Sequence, residues 1–331
     1  MLLLDALSLN ATPRKPVWIM RQAGRYMKAF RDVRAKHSFL EVCNHPELAL
    51  NVSLLPLKAY AVDAAIVFSD ILIPLQSLGA TIDFPEGGPV VVWDGLNAPL
   101  PKRGAVEDYA SGILSTLKLL RKEVPSEKAV LGFAGAPFTM MAYLVEGKLT
   151  KDLSRVKTFM YENPQKAHEI LDHLSLEMGD YLEAQVNAGA DAVQLFDTWA
   201  GMLSPSDYDE FALPYARKVL SHVTAPSLYY VNGVSGVLDS VASVGAQGLS
   251  IDWRMKLSEA RRRVSQVTAL QGNLDPYALH LPAGALRQRV LAICEDYGRK
   301  PGHIFNLGHG IVPSVPEDSL KVVIEAVHEF G

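Results

Sequence analysis

Short unbroken apolar runs recur along the chain, each followed by a glycine or polar residue and then by a longer segment with helical spacing. Eight stand out: VWIM (17–20), AAIVF (64–68), AVLGF (129–133), AVQLF (192–196), SLYYV (227–231), GLSI (248–251), VTALQ (267–271) and HIFNL (303–307). Apolar runs without alternation read as strands buried on both faces, the pattern of a parallel sheet covered by helices. The intervening segments supply the return helices such a sheet requires. Leu320, Val323, Ile324 and Val327 recur at i, i+3, i+4 and i+7 behind the acidic PEDS start, and Ala167, Ile170, Leu171, Leu174 and Met178 form a similar stripe before the fourth run. Eight strand–helix units predict one α/β domain over residues 1–331, a closed (β/α)8 TIM barrel, with a doubly wound open sheet as the rival topology. The long connection between the second and third runs contains DFPEGGPVVVWDG, whose Pro-Glu-Gly-Gly turn signal predicts an inserted hairpin.

Composition narrows the class. The 331 residues are 49% hydrophobic and 21% charged with a formal net charge of −4, ordinary for a globular enzyme and without the basic coat a nucleic-acid binder carries. The run Arg261 to Arg263 reads as a solvated helix face. Cys43 and Cys294 are the only cysteines, too few for a disulfide framework or a Cys-rich metal site. The start MLLLDALSLN is apolar but carries Asp5 and no positive flank, so it reads as a terminal helix rather than a leader or membrane span. A cytoplasmic protein is expected, with neither nucleic acid nor membrane as partner.

In such a barrel the strand C-termini converge on one face, and the loops there build the site. The residues after the runs are RQAGR, SD, AGAPFT, DTWAG, NG, DW, GNLDP and GHG. Arg21 and Arg25 direct two permanent cations to one region, from a helical turn or from a loop, and suit a carboxylate or phosphate. Asp70 ends an apolar run, where it either caps the next segment and pairs with an arginine or faces a cationic or N–H-rich ligand. The small residues of GFAGAPFT lack the Walker lysine and the full GxGxxG pattern, and read as a close backbone turn that admits a ligand, with Tyr143 a turn beyond. Thr198 reads by default as a helix cap. His309, between Gly308 and Gly310, has little to pack against except a cleft, and suits proton transfer or carboxylate binding. His168 and His173 read as solvated helix positions. No HExxH, clustered Cys/His set or GxSxG elbow occurs, leaving a barrel without an evident metal or cofactor site that binds a polyanion.

PVWIMRQAGRYM and GFAGAPFTMMAYLVEG resemble the two signature stretches of the uroporphyrinogen decarboxylase family. DAAIVFSDIL, QLFDTWAG, GNLDP and FNLGHGI resemble that family in the same order, over nearly the whole chain. The resemblance implies a distorted (β/α)8 barrel, a homodimer with facing clefts, and decarboxylation of the four acetates of uroporphyrinogen III to methyl groups without metal or organic cofactor, yielding coproporphyrinogen III. It implies substrate binding by Arg21, Gln22, Ala23, Gly24 and Arg25, with Phe30 as an apolar contact and Asp70, Tyr143, Thr198 and His309 completing the site. It also implies that Asp70 lies beneath the macrocycle and stabilises a cationic intermediate, with Arg21 or a water it orients moving a proton and Tyr143 and His309 fixing the substrate. The rival enzyme is a zinc- and cobalamin-linked methyltransferase of a related barrel group, against which the lack of a cysteine paired with His309 counts. A non-catalytic tetrapyrrole carrier is the rival from another class.

Overall fold

The structure is a computed structural model describing residues 1–85, 88–148 and 150–330, with Asn97 described by its main chain alone. Nine strands occur among these residues: β1 (Ala64–Ile66), β2 (Thr81–Asp83), β3 (Val90–Val92), β4 (Ala129–Gly135), β5 (Ala192–Asp197), β6 (Ser227–Val231), β7 (Gly248–Ser250), β8 (Ala269–Leu274) and β9 (His303–Leu307). Seven make one parallel sheet in the order β1-β4-β5-β6-β7-β8-β9. Each crossover carries at least one helix, so the sheet is wound in sequence order, as buried apolar strands demand. β2 and β3 form a separate antiparallel pair, with Thr81 opposite Val92 and Asp83 opposite Val90. Glu86 and Gly87 of the expected turn lie outside the described residues.

The expected first strand, residues 17–20, is not a regular strand. It touches the sheet through a single parallel bridge, Val17 to Phe305. Pro16 has no N–H, and side chains take over the ladder around it. The Val17 N–H donates to the Asp63 carboxylate (2.8 Å), the Met20 N–H to Asn306 Oδ1 (2.8 Å) and the Ile19 N–H to Gln22 Oε1 (3.1 Å). Main-chain bonds still reach both neighbours, from Phe305 N–H to Pro16 and from Asp63 N–H to Val17. The segment therefore lies between the edge strands β9 and β1 with its polar groups satisfied.

Alternation along the strands separates two apolar environments. Ala64, Ala129, Leu131, Ala192, Leu228, Ala269 and Ile304 gather with Trp18 on the concave inner face, where Leu3, Ala6 and Leu7 of the terminal helix Leu2–Leu7 pack on them. The small residues opening these strands make room for that plug. A Cβ on Gly248 would stand 2.8 Å from Leu7 Cδ2 and 2.6 Å from Leu228 Cδ2. Above the plug a polar layer follows, in which Trp18 Nε1 donates to Gln271 Oε1 (2.8 Å) and Gln271 Nε2 to Gln194 Oε1 (3.0 Å). The alternate residues, among them Val130, Val193, Leu195, Tyr229 and Leu249, face the helical layer instead. One end of the concave face is closed by the plug, so the strand C-termini form the accessible end. Among the described residues no helix is long and apolar enough to cross a membrane.

Candidate active site

Arg21 follows the irregular 17–20 segment with a φ of 64°, the left-handed region that non-glycine residues seldom occupy. Gln22 accounts for the local bend. It is fully buried, its Oε1 accepts from Ile19 and its Nε2 donates to the Ala64 carbonyl (2.9 Å), while its own carbonyl accepts from the Tyr26 hydroxyl (2.7 Å). Residues 21–27 are thus a turn, and the next helix begins only at Lys28. Arg21 and Arg25 do not share a helical face. Both side chains are exposed at the strand C-terminal end, Ala23 and Gly24 are half-buried between them, and Phe30 is buried against Phe68 (centroids 5.4 Å).

The Gly308-His309-Gly310 segment packs closely at both glycines, Gly310 against this turn and Gly308 against the Asp252–Trp253 backbone. A Cβ on Gly310 would lie 2.5 Å from Arg21 Cδ, and one on Gly308 would lie 2.5 Å from the Trp253 nitrogen. Between them the His309 ring stacks on Tyr230 (5.9 Å, 9° between planes), with Nδ1 2.8 Å from the Tyr230 hydroxyl, which also donates to the Gly308 carbonyl (3.1 Å). Burial and then the Arg21 and Arg254 guanidinium groups push the His309 pKa down to about 4, against a weaker opposite pull from Asp252. The ring is therefore neutral near pH 7 and presents no imidazolium acid there.

Asp70 continues the inward series Ala64, Ile66 and Phe68 beyond β1. Its Oδ1 accepts from the Leu72 N–H (3.0 Å), so the local capping role is real. Partly accessible to the cleft yet crowded by protein, it has its pKa raised by desolvation, which the Leu72 bond and Arg21 only partly offset. Tyr143, from the helix Pro137–Glu146, is pushed up to about 12 by burial and by the Asp70 charge, opposed by Trp199 and Arg21. Arg21, Asp70, Tyr143 and His309 therefore form one electrostatically connected group, in which Arg21 acts on each of the other three. Thr198, half-buried, continues the inward series Ala192, Gln194 and Phe196, and Arg25 is exposed on the same turn as Arg21.

The sequence model described as uroporphyrinogen decarboxylase (URO-D) matches residues 1–330. A uroporphyrinogen decarboxylase from Geobacter metallireducens is 42% identical over 99% of this chain and 98% of its own length. One from Thermosynechococcus vestitus is 42% identical over 100% and 99%. The chain belongs to the uroporphyrinogen decarboxylase family. Among solved structures, a methyltransferase from Methanosarcina mazei superposes with a TM-score of 0.84 over 99% of this chain and 97% of its own, at 21% identity, a likeness of fold.

Within this family member some sequence readings change. The glycines of GFAG make room for protein rather than ligand, since a Cβ on Gly132 would stand 2.6 Å from Gln185 Oε1 and one on Gly135 2.2 Å from Met140 Sδ. His168 is no free surface group, for its ring stacks on Phe211 at 4.8 Å and its Nδ1 lies 2.6 Å from the Tyr215 hydroxyl. Arg261 is half-buried and donates to the Thr268 and Val264 carbonyls, so that basic run is only partly solvated. Arg254 went unnoticed in the sequence although it follows the DW that marked the end of β7. Its guanidinium lies 4.1 Å over the Trp253 ring and donates to Asn232 Oδ1 (2.9 Å). Among the described residues, no three His, Cys, Asp or Glu side chains gather closely enough to hold a metal ion.

Proposed function

We propose that this protein decarboxylates uroporphyrinogen III, converting its four acetates to methyl groups and yielding coproporphyrinogen III in haem synthesis, in the cleft among Arg21, Asp70, Tyr143 and His309. Family membership and the names of its relatives support the reaction. The observation that carries the site is the desolvated Asp70 carboxylate at the end of the inward series, within the electrostatic reach of the exposed Arg21 guanidinium. An octacarboxylate needs fixed cations at the mouth, and Arg21 and Arg25 are placed to hold some of its carboxylates in charge-assisted hydrogen bonds. Gln22, Ala23 and Gly24 contribute through the shape of the turn, Phe30 as an apolar wall, and Thr198 from the opposite strand end.

Loss of carbon dioxide leaves an electron pair on the exocyclic carbon. The pyrrole ring itself can receive it once a ring carbon beside the acetate-bearing position is protonated, giving an iminium-like cation. Carbon dioxide then leaves, the electron pair enters the ring, protonation of the exocyclic carbon completes the methyl group, and loss of the proton first added to the ring carbon restores the pyrrole. Asp70 accepts hydrogen bonds from pyrrole N–H groups and stabilises that cation without solvent reorganisation. Proton delivery is assigned to Arg21 or a water it orients at the exposed mouth of the cleft, while the neutral His309 and Tyr143 fix the substrate.

The same proposal takes residues 1–331 as one domain, a distorted (β/α)8 barrel in which 17–20 stands in for the first strand and β2–β3 for the inserted hairpin. It works as a homodimer. Exposed Met202 and Tyr277, from the loops after β5 and β8, supply apolar surface for that contact at the site end. The deciding experiment is an anaerobic incubation with uroporphyrinogen III, followed by oxidation and chromatography of the porphyrins by carboxyl number. Stepwise seven- to four-carboxyl products are expected, together with a dimer mass by light scattering. Unchanged substrate co-eluting with the protein would mean a carrier and overturn the reading.

A further inference from the structure

Asp197 is fully buried, ends β5, and among the described residues has no cation paired with it. Alternation turns it away from the concave face that Phe196 and Thr198 line, into the layer between sheet and helices. There its Oδ1 accepts from Thr139 Oγ1 (2.7 Å) and its Oδ2 from the Tyr229 hydroxyl (2.7 Å), which in turn stands 3.1 Å from the Tyr208 hydroxyl. A carboxylate in such surroundings is costly unless its arrangement is used.

What it joins is informative. Thr139 opens the helix Pro137–Glu146, whose N-cap residue Ala136 offers no side-chain cap, and Tyr143 lies one turn later on the same face. Thr139 Oγ1, besides donating to Asp197, accepts from the Trp199 N–H (3.2 Å), and the Ala136 N–H donates to the Phe196 carbonyl (2.8 Å). The carboxylate therefore sits behind the wall that carries Tyr143 on one side and Thr198 on the other.

We infer that Asp197 is a positioning residue for this active site, acting through Thr139 to hold the Tyr143 helix and the Thr198–Trp199 turn in register from behind the sheet. This rests on the assignment of Tyr143 and Thr198 to the substrate. The groups facing the carboxylate are the Thr139, Tyr229 and Tyr208 hydroxyls, from three different elements. Both tyrosines are pushed above the ordinary phenol range, chiefly by burial, and stay neutral. Burial raises Asp197 itself from 3.8 to about 6, the Thr139 and Tyr229 bonds opposing it. The anion is the form that accepts from both hydroxyls, so the strut weakens as pH falls through about 6.

The test is steady-state decarboxylation of uroporphyrinogen III by the full chain between pH 5 and 9. Asp197→Asn keeps the shape and removes the charge, while Thr139→Val and Thr139→Ser respectively remove and retain the hydroxyl. Asp197→Asn and Thr139→Val should each lose roughly ten- to a hundredfold in kcat/KM, the scale of a small misplacement of reacting groups. The double variant should lose no more than either alone, Thr139→Ser should stay near wild type, and the acid limb near pH 6 should vanish in Asp197→Asn. Wild-type kcat/KM in Thr139→Val, or equal impairment of Thr139→Ser and Thr139→Val, would overturn the inference, and the Thr139 pair decides even where Asp197→Asn does not fold. Tyr143→Phe and Thr198→Val run alongside. If both are harmless, the substrate assignment itself is wrong; if they are impaired while Asp197→Asn is not, only the role of Asp197 fails.

Discussion

Alanine at Gly310 should disable Arg21 without unfolding the protein. The new Cβ would stand 2.5 Å from Arg21 Cδ, 2.9 Å from Cγ and 3.0 Å from Nε, all inside contact distance. These atoms belong to a flexible, exposed side chain, and the Gly310 backbone is not in the left-handed region, so the fold can relieve the clash by swinging Arg21 aside. Stability should change by less than about 1 kcal/mol. Arg21 would then leave its place against Gly310 and surrender a charge-assisted carboxylate contact to the substrate, about 1.5–3 kcal/mol, or a roughly ten- to hundredfold fall in kcat/KM. The neighbouring glycine is the control. At Gly308 the same methyl meets main chain, Trp253 N at 2.5 Å and Asp252 C at 3.0 Å, which cannot swing away; Gly308→Ala should cost about 1–3 kcal/mol of stability. Thermal melts and steady-state decarboxylation of both variants separate the two effects. Normal kcat/KM in Gly310→Ala beside a crippled Arg21→Gln would refute the claim that Arg21 works in the position where it crosses Gly310.

Asp70→Asn should lower kcat by about a hundred- to a thousandfold while KM changes little, because its charge acts on a cation formed only during reaction; near-normal turnover would remove Asp70 from the chemistry. His309, lowered from 6.5 to about 4, is neutral in the folded state where the unfolded chain takes a proton, so its contribution to stability is complete above about pH 6.5 and is lost as pH falls toward 4. Imidazole NMR titration should show that low midpoint, and Arg21→Gln should raise it. Gln22→Ala leaves the Ile19 N–H and the Ala64 carbonyl unpaired in the interior and should destabilise by about 2–5 kcal/mol in chemical denaturation. Raising ionic strength should increase KM through screening of Arg21 and Arg25 despite the net charge of −4; a salt-independent KM would argue against the cationic mouth.

The chain's own pattern determined the parallel sheet, because a strand buried on both faces has to be continuously apolar, and seven of the eight apolar runs are strands of it. It also offered Arg21, Asp70 and His309 as candidates, since polar residues directly after such runs have only the strand C-termini to occupy, and Tyr143 through the helix that follows one of them. The eighth run, 17–20, looked like the others because its side chains are as deeply buried; its hydrogen bonds go to Asp63, Asn306 and Gln22, partners from 3 to 286 residues away that no local pattern reveals. Tertiary structure alone decided the roles of Gln22 and the GFAG glycines, which depend on what approaches from other elements. It alone set the charge states too. A neutral His309 follows from desolvation and the nearby Arg21 and Arg254, and a raised Asp197 from desolvation that the Thr139 and Tyr229 bonds only partly offset; distance in space, not order along the chain, governs those energies.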